Sequence, residues 1–221
     1  MCGRYGLTAQ AEDFVDIFPE FKEKKLDITP RYNIKPTQTI PVIYKDTYGH
    51  YQFDLQKWGF HPPWLKSILI NTRMETAFTS RFWQSAMEQR RCLIPASYFY
   101  EWQDTGGKNT QPWKIGLKKQ KLFFMAGIWA NEKGKQGEDL HTCSILTTAA
   151  NDTMKNIHNR GPHKFRQPVI IEPISFSTWF DLATARDVLN ELMYSMDSDK
   201  METWRLTSIG DDALHTPPAI M

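Results

Sequence analysis

Residues 92–102 read CLIPASYFYEW, an extended stretch in which apolar and aromatic side chains follow one another almost without a break. Aromatic and β-branched residues favour strands, so the stretch predicts extended structure. Directly downstream, PWKIGLK (112–118) and LFFMAGIWA (122–130) predict a hairpin across the polar turn KQK (119–121). Strands that follow one another without helical crossovers favour antiparallel pairing.

The same pattern continues in both directions from this stretch. Further strands are predicted at 31–34, 39–46, 48–60, 68–76, 141–148, 167–172 and 203–209. A helix over 8–21 would begin at an N-cap on Thr8 and stop at Pro19. The other helices, the first of them capped by Thr79 or Ser80, are predicted at 79–91, 150–158, 174–183 and 185–195.

Many strands in succession with few helices between them indicate an α+β fold. We expect a single domain over residues 1–221, built on a curled, mostly antiparallel β-sheet or partial barrel with peripheral helices. The 221 residues, 41% of them hydrophobic, can bury one substantial core. No Gly-, Ser- or Pro-rich linker separates two halves.

The overall charge is small, since 27 Lys and Arg residues against 25 Asp and Glu residues give a net charge of +2. This balance argues against a globally basic nucleic-acid binder, so a polyanion would have to meet a local patch. Three cysteines, at positions 2, 92 and 143, form no CxxC pair, which argues against a zinc ribbon or a disulfide framework. No apolar run reaches transmembrane length. We therefore expect an intracellular, cytoplasmic protein without metal, cofactor or membrane partner.

Cys2 directly follows the initiator methionine in MCGRYGLT. If Met1 is removed, Cys2 carries a free α-amine, whose ordinary pKa is about 8, beside a thiol with a pKa of about 8.5. Such an amine can attack an aldehyde to form a Schiff base, and the thiol can then close a five-membered thiazolidine ring. The alternative is that a cysteine at this position has no role.

Three polar stretches contain candidate site residues. INTRMET places Asn71, Arg73 and Glu75 at alternate positions, so in a strand they face one way, either into a cleft or at an exposed strand end. SYFYEWQ sets Glu101 among aromatic rings, where it is either a rim residue or a partly desolvated general acid–base. NIHNRGPHKFR holds His158 in a basic cluster that suits phosphate, although a lone histidine is commonly structural.

An aromatic cluster lies in KWGFHPPW (57–64), where Trp58, Phe60 and Trp64 surround two prolines. If exposed, these rings suit stacking on unpaired bases, and if buried they belong to the core. The sequence contains no Walker A motif, no GxGxxG motif and no GxSxG elbow.

Six blocks in order, MCGRYG, RYNIKP, KWGF, INTRMETAFTSRF, RCLIPASYFYEW and TTAANDTMKNIHNR, resemble the signature blocks of the SOS-response-associated peptidase family, now regarded as abasic-site processing proteins. The resemblance runs from Met1 to about Val169. It implies a single α+β domain around a curled antiparallel sheet. It also implies binding of single-stranded DNA and capture of an abasic site as a thiazolidine on the N-terminal cysteine.

The resemblance further implies roles for individual residues. Cys2 would be the nucleophile, and Asn71 would hold its amine and the sugar-derived group. Glu101 would shuttle protons during Schiff-base formation, while His158 would assist opening of the sugar ring and reversal of the crosslink. The same groups would cleave the Met1–Cys2 peptide bond. Contacts to the DNA are implied for Arg4, Pro36, Trp58, Arg73, Arg81 and Arg160.

The chain departs from the family pattern after His158, where GPHKFRQ (161–167) precedes the Pro-Val strand. We therefore expect Lys164 or Arg166 to share the role of Arg160 as a DNA contact. The C-terminal stretch 205–221 also matches the family poorly.

Two other functions stay open at this point. One is a thiol peptidase that acts on protein substrates through Cys2 and His158. The other is a module that binds single-stranded DNA without a covalent bond. A peptidase would tolerate residues before its cysteine, whereas a thiazolidine requires a free α-amine on Cys2.

Overall fold

The structure is a computed structural model that describes residues 2–62, 65–133, 137–212 and 215–221. Its strands are β1 (Tyr5–Leu7), β2 (Arg31–Ile34), β3 (Thr39–Lys45), β4 (Tyr51–Trp58), β5 (Asn71–Arg73), β6 (Arg91–Ala96), β7 (Tyr98–Asp104), β8 (Thr110–Leu117), β9 (Phe123–Lys133), β10 (Asp139–Ala149), β11 (Arg166–Pro168), β12 (Ile170–Ile171), β13 (Met201–Ser208) and β14 (Ala219–Ile220). Its short helices are α1 (Ala11–Val15), α2 (Met74–Ala77), α3 (Gln84–Gln89), α4 (Asp152–Ile157), α5 (Phe176–Phe180) and α6 (Arg186–Leu192).

The strands form two sheets. One sheet has the order β14-β13-β8-β7-β1-β2, and all of its pairs are antiparallel. The other has the order β11-β10-β4-β3-β6-β9-β12, with β5 attached to β10. Because β9 also pairs with β10, five strands of this second sheet close into a small barrel, in the order β10-β4-β3-β6-β9. The parallel pairs within the described strands are β10–β4 and β10–β5. The expected α+β class, with a curled, mostly antiparallel sheet and peripheral helices, is confirmed.

The stretch CLIPASYFYEW (92–102) passes from one sheet to the other at Ser97. β6 pairs with β3 and β9 in the barrel, whereas β7 pairs with β1 and β8 in the six-stranded sheet. At the crossing the Ser97 N–H donates to the Gly6 carbonyl (2.8 Å), and the Ser97 hydroxyl accepts from the Thr8 N–H (3.0 Å). This crossing brings the strand that carries Glu101 beside the N-terminal strand.

One large apolar cluster lies between the two sheets. All six residues of β6 are buried, and Phe99 of β7 belongs to the same cluster. Tyr98 and Tyr100 instead form a smaller cluster with Leu206. Successive side chains of a strand point to opposite faces. β7 therefore directs Glu101, like Phe99, towards the interior of the molecule.

The first helix begins later than the sequence predicts. α1 starts at Ala11 and its N-cap residue is Gln10, not Thr8, whose N–H donates to the Ser97 hydroxyl oxygen. The Asp13 carboxylate instead accepts from the N–H of Gln10, at 2.8 Å. The helix ends at Val15, so Pro19 opens a separate 3-10 turn rather than stopping it.

The second predicted helix is also shorter. α3 starts at Gln84, and neither Thr79 nor Ser80 caps it through a side chain. The Ser80 carbonyl accepts from the N–H groups of Trp83 and Gln84, which forms a turn ahead of the helix. Within the described ranges, no helix is long and apolar enough to cross a membrane.

Candidate active site

Cys2 lies in the segment just before β1, and this segment runs beside β7. The Tyr100 N–H donates to the Arg4 carbonyl (2.9 Å), so the antiparallel chain towards Cys2 follows the β7 residues beyond Tyr100. The Cys2 side chain is fully buried. Burial raises the pKa of its thiol well above the usual range, and the nearby Glu101 charge raises it further, while a hydrogen bond from the Arg4 backbone lowers it. Cys2 is therefore a thiol, not a thiolate, at neutral pH in this structure.

Glu101 and His158 form a buried pair next to this cysteine. The Glu101 Oε2 and His158 Nε2 atoms are 3.8 Å apart, and the two side chains are only 6% and 7% exposed. Glu101 comes from β7, and His158 follows the last residue of α4. The structure thus brings together two predicted acid–base residues that are far apart in the sequence.

Hydrogen bonds tie the end of α4 to β7 and hold this pair together. The Gln103 side chain donates to the Asn156 carbonyl (3.0 Å). The Asn159 side chain accepts from the Asp104 N–H (2.7 Å) and donates to the Asp104 carbonyl (3.0 Å). Asn159 is not among the site residues predicted from the sequence, although an Asn just beyond the end of a helix is a common side-chain partner for backbone groups.

The backbone of Arg166 orients the His158 ring. His158 Nδ1 is 2.9 Å from the Arg166 carbonyl oxygen and 3.2 Å from the Arg166 nitrogen. A nitrogen of a neutral imidazole either donates or accepts, so only one of these two contacts is a hydrogen bond in a given tautomer. In both tautomers Arg166 fixes the ring so that Nε2 faces Glu101.

Burial shifts both members of the pair towards their neutral forms. It raises the pKa of Glu101 to about 7 and lowers the pKa of His158 to about 4. The carboxyl group therefore exchanges its proton near neutral pH, where a general acid–base is most effective. His158 is neutral under the same conditions and can accept a proton.

Asn71 is the third predicted site residue in the interior. It opens β5, opposite Ile145 of β10. Its side-chain oxygen and nitrogen are both buried, and neither has a hydrogen-bond partner within the part of the chain that the structure describes. An unpaired buried polar group costs about 1–3 kcal/mol, so this amide is suited to bind a group brought by a ligand.

Glu75 and Arg166 occupy different positions from those expected. β5 ends at Arg73 and α2 begins at Met74, so Glu75 does not continue the strand face of Asn71. Instead its carboxylate accepts two hydrogen bonds from Arg166, at 2.5 and 2.8 Å. The Arg166 side chain is 9% exposed and also donates to the Thr147 carbonyl. The alternative of Arg166 as a phosphate contact is therefore wrong, because its guanidinium is buried and paired.

Trp58 is a core residue and not a stacking surface. It is fully buried, its ring centre is 5.5 Å from that of Tyr5, and its indole N–H donates to the Ile70 carbonyl (3.0 Å). A buried indole cannot stack on a base, so direct DNA contact by Trp58 is not what the structure shows. Trp58 links β1 to the residue before Asn71 and thereby positions both. Phe60 is likewise buried, and Trp64 lies outside the described residues.

Pro36 lies in the turn between β2 and β3 and is half-buried. The next residue, Thr37, donates its N–H to the Trp58 carbonyl (2.8 Å). The structure thus brings the turn that contains Pro36 close to Trp58. Its contact with DNA stays a prediction.

The predicted DNA-contacting arginines differ in their surroundings. Arg4 is half-buried and donates to the Asn33 side chain (2.9 Å). Arg73, Arg81 and Arg160 are exposed. Arg73 is the last residue of β5, two residues after Asn71, and Arg160 is two residues after His158, whereas Arg81 lies in the turn before α3. Among the described residues no hydrogen bond or ion pair joins Arg81 to the other candidate site residues.

Comparison with known proteins places this site in a family. A family model described as SOS response associated peptidase (SRAP) matches residues 1–209. This chain belongs to the SRAP family. It is 35% identical over 217 residues to the abasic site processing protein YoaM of Bacillus subtilis (strain 168), a match that covers 95% of this chain and 92% of that protein. The family assignment agrees with the resemblance of the six sequence blocks.

A more distant relative agrees with this assignment, and a solved structure shares the fold. The abasic site processing protein YedK of Escherichia coli (strain K12) is 29% identical over 184 residues, which cover 81% of this chain and 79% of YedK. A crystal structure of a protein from Bacteroides thetaiotaomicron superposes with a TM-score of 0.78 at 23% identity, over 93% of this chain and 92% of that one. At this identity the superposition supports the shared fold alone.

Proposed function

We propose that this protein captures abasic sites in single-stranded DNA as a covalent thiazolidine on Cys2. The observation that carries the proposal is the buried Glu101–His158 pair, whose facing atoms are 3.8 Å apart next to the Cys2 thiol. The printed names of relatives such as YoaM and YedK support abasic sites as the substrate. The reaction requires Cys2 to become the first residue and its side chain to become accessible.

The chemistry needs one condensation followed by one addition. The α-amine of Cys2 adds to the aldehyde carbon of the open abasic sugar, and loss of one water gives a Schiff base. The thiol then adds across the C=N bond, so that a C–S bond forms and the thiol proton ends on nitrogen. The net change is the loss of one water, and no oxidant or metal is consumed.

Proton transfer divides between the two buried groups. A carboxyl group with a pKa of about 7 can give a proton to the departing water and recover it near neutral pH, which assigns Schiff-base formation to Glu101. Neutral His158 can accept the hydroxyl proton of the closed sugar and return it to the ring oxygen as the ring C–O bond breaks, which gives the aldehyde. For release, the C–S bond opens to the Schiff base, one water adds and the amine leaves, and His158 transfers the proton that closes the freed sugar. The amide of Asn71, unpaired in the described part of the chain, would bind the amine and the sugar.

Intact-mass spectrometry tests this proposal. Wild-type protein incubated with an oligonucleotide that carries one abasic site should gain the mass of the DNA minus one water, on a chain that lacks Met1. The matched control is an oligonucleotide with a tetrahydrofuran analogue, which has no aldehyde and should give no adduct. Cys2→Ser should also give no stable adduct without a reductant, because a hydroxyl closes the ring far less readily than a thiol.

The same experiment distinguishes the two alternatives. An adduct on a chain that retains Met1 would exclude a thiazolidine, since its amine would not be next to a thiol. Reversible binding without an adduct would indicate a non-covalent DNA-binding module. Cleavage of added proteins that depends on both Cys2 and His158, with no DNA adduct, would indicate a thiol peptidase.

A further inference from the structure

Residues 159–165 form a loop that leaves and returns beside His158. The N–H of Phe165 donates to the His158 carbonyl (2.8 Å), and the Phe165 carbonyl accepts from the Ala150 N–H (2.9 Å). The next residue, Arg166, holds the His158 ring. The loop therefore begins and ends at a proposed acid–base residue, and whatever it binds lies close to the reacting sugar.

Contacts on two sides fix this loop. At its start, Asn159 is bound to the Asp104 backbone of β7 through two hydrogen bonds. Near its end, His163 Nδ1 is 3.0 Å from a guanidinium nitrogen of Arg73, which follows Asn71 on β5. A guanidinium only donates, so His163 accepts here through an unprotonated Nδ1. The loop thus spans the two strands that carry Glu101 and Asn71.

The loop presents positive charge and one aromatic ring to solvent. Its sequence NRGPHKF contains Arg160 and Lys164 but no acidic residue. Phe165 is 41% exposed, even though the Lys164 ammonium lies 5.0 Å from its ring centre. Phe165 also has a φ of 61°, a left-handed conformation that is costly for a bulky side chain. A turn needed only to connect α4 and β11 would favour Gly or Asn at this position.

We propose that the 159–165 loop binds the nucleotide next to the abasic site, with its base stacked on Phe165 and its phosphate at Lys164. The proposal rests on the proposed function and adds the recognition of a neighbouring base. Sequence-tolerant stacking on an aromatic ring is a common way of holding unpaired bases, and a nearby cation complements the backbone. An abasic nucleotide has no base of its own, so stacking energy has to come from its neighbours.

Binding to DNA with and without the neighbouring bases tests this proposal. The probe is single-stranded DNA with a central tetrahydrofuran residue, which cannot react, and fluorescence anisotropy gives the dissociation constant. Replacing the flanking nucleotide on one side, and then on the other, by a second tetrahydrofuran removes one base at a time. For wild-type protein we expect about tenfold weaker binding when the base on one side is missing.

Variants of Phe165 complete the cycle. Phe165→Ala should bind the fully flanked DNA about tenfold more weakly and should no longer respond to removal of that base. Phe165→Trp should retain the response, and Phe165→Leu should behave like the alanine variant, because the ring and not its apolarity is required. Tyr48→Ala is the matched control, since Tyr48 is 84% exposed on the β3–β4 turn, at the other end of that hairpin from Trp58. Lys164→Ala should lower the salt slope of binding by about 0.7 whether or not the base is present.

Equal sensitivity of wild type and Phe165→Ala to the missing base would overturn the stacking proposal. An unchanged affinity of Phe165→Ala for fully flanked DNA would do so as well. Failure of the proposed function has a different signature: wild-type protein would show the flanking-base effect but form no adduct with aldehyde-bearing DNA. Because Phe165 is exposed, its variants should keep the wild-type unfolding midpoint. An unchanged midpoint for Phe165→Leu and Phe165→Ala shows that weaker DNA binding is not caused by loss of the fold.

Discussion

The side chains of Glu101 and His158 are only 6% and 7% exposed. In contrast, all the residues from 160 to 165, which begin two positions after His158, are exposed. In the buried pair, burial suppresses charge and holds both side chains near neutrality. In the loop, Arg160 and Lys164 instead point their basic side chains into solvent, where a DNA backbone can reach them. We therefore expect the pair to control the rate of the chemistry and the loop to control DNA binding.

The largest expected effect concerns Glu101. Glu101→Gln keeps the shape of the side chain but cannot exchange a proton, so the rate of capture should fall by about 10²–10⁴-fold. Affinity for unreactive tetrahydrofuran DNA should stay at the wild-type value, since the substitution lies in the interior. Single-turnover capture at saturating DNA and anisotropy with the analogue measure the two quantities. Capture at the wild-type rate would remove Glu101 from the mechanism.

A second effect should separate release from capture. His158→Ala should form the adduct more slowly and reverse it about 10²-fold more slowly than wild type, because ring closure of the sugar needs the group that opens it. Preformed adduct is chased with an excess of competitor abasic DNA, and release is followed on a denaturing gel. If the variant releases DNA as fast as wild type, His158 has no role in reversal.

Glu101 and His158 should also have opposite effects on how the free energy of unfolding changes with pH. The folded pKa of Glu101, about 7, exceeds the ordinary value of 4.5, so its stabilising contribution is complete below pH 4.5 and is lost as pH rises towards 7. The folded pKa of His158, about 4, is below the ordinary 6.5, so its contribution is complete above pH 6.5 and is lost as pH falls towards 4. Each shift corresponds to roughly 3 kcal/mol.

Denaturant unfolding between pH 4 and pH 7 tests these signs. Relative to wild type, Glu101→Gln should become more stable as pH rises, because it removes a buried group that ionises. His158→Asn should become more stable relative to wild type as pH falls. Two difference curves with the same slope would show that burial does not shift the two groups in opposite directions.

The sequence predicted the strands well because their patterns are local. The run of apolar and aromatic residues around CLIPASYFYEW identifies extended structure on its own. The crossing at Ser97 was not predictable, since it depends on hydrogen bonds to Gly6 and Thr8 that are distant in the sequence. The predicted start of α1 was also wrong: the N-cap residue is Gln10, while Thr8 lies in the crossing, where its N–H donates to the Ser97 hydroxyl.

The site shows the same limit. Cys2, Asn71, Glu101 and His158 were each identifiable from sequence blocks, but the 3.8 Å approach of Glu101 to His158 requires the two elements to pack. Alternation along INTRMET misplaced Glu75, because β5 ends at Arg73 and a helix begins. In the sequence, Arg166 looks like the other Arg and Lys residues of its stretch, which are exposed. The structure instead buries its side chain in an ion pair with Glu75.

The smallest expected effect distinguishes two exposed arginines that the sequence treats alike. Each is expected to lie near one DNA phosphate, so Arg73→Ala and Arg81→Ala should each lower the salt slope of binding by about 0.7. Arg73 also donates to His163 and so supports the 159–165 loop, whereas Arg81 has no such contact in the described part of the chain. Arg73→Ala should therefore also weaken the affinity that remains after extrapolation to high salt, where counterion release no longer contributes, and Arg81→Ala should not.

Titrations of tetrahydrofuran DNA over a series of salt concentrations give both the slope and the extrapolated value. Unchanged slopes for both variants would place the DNA groove elsewhere. Equal extrapolated affinities would mean that the His163 contact does not support the loop.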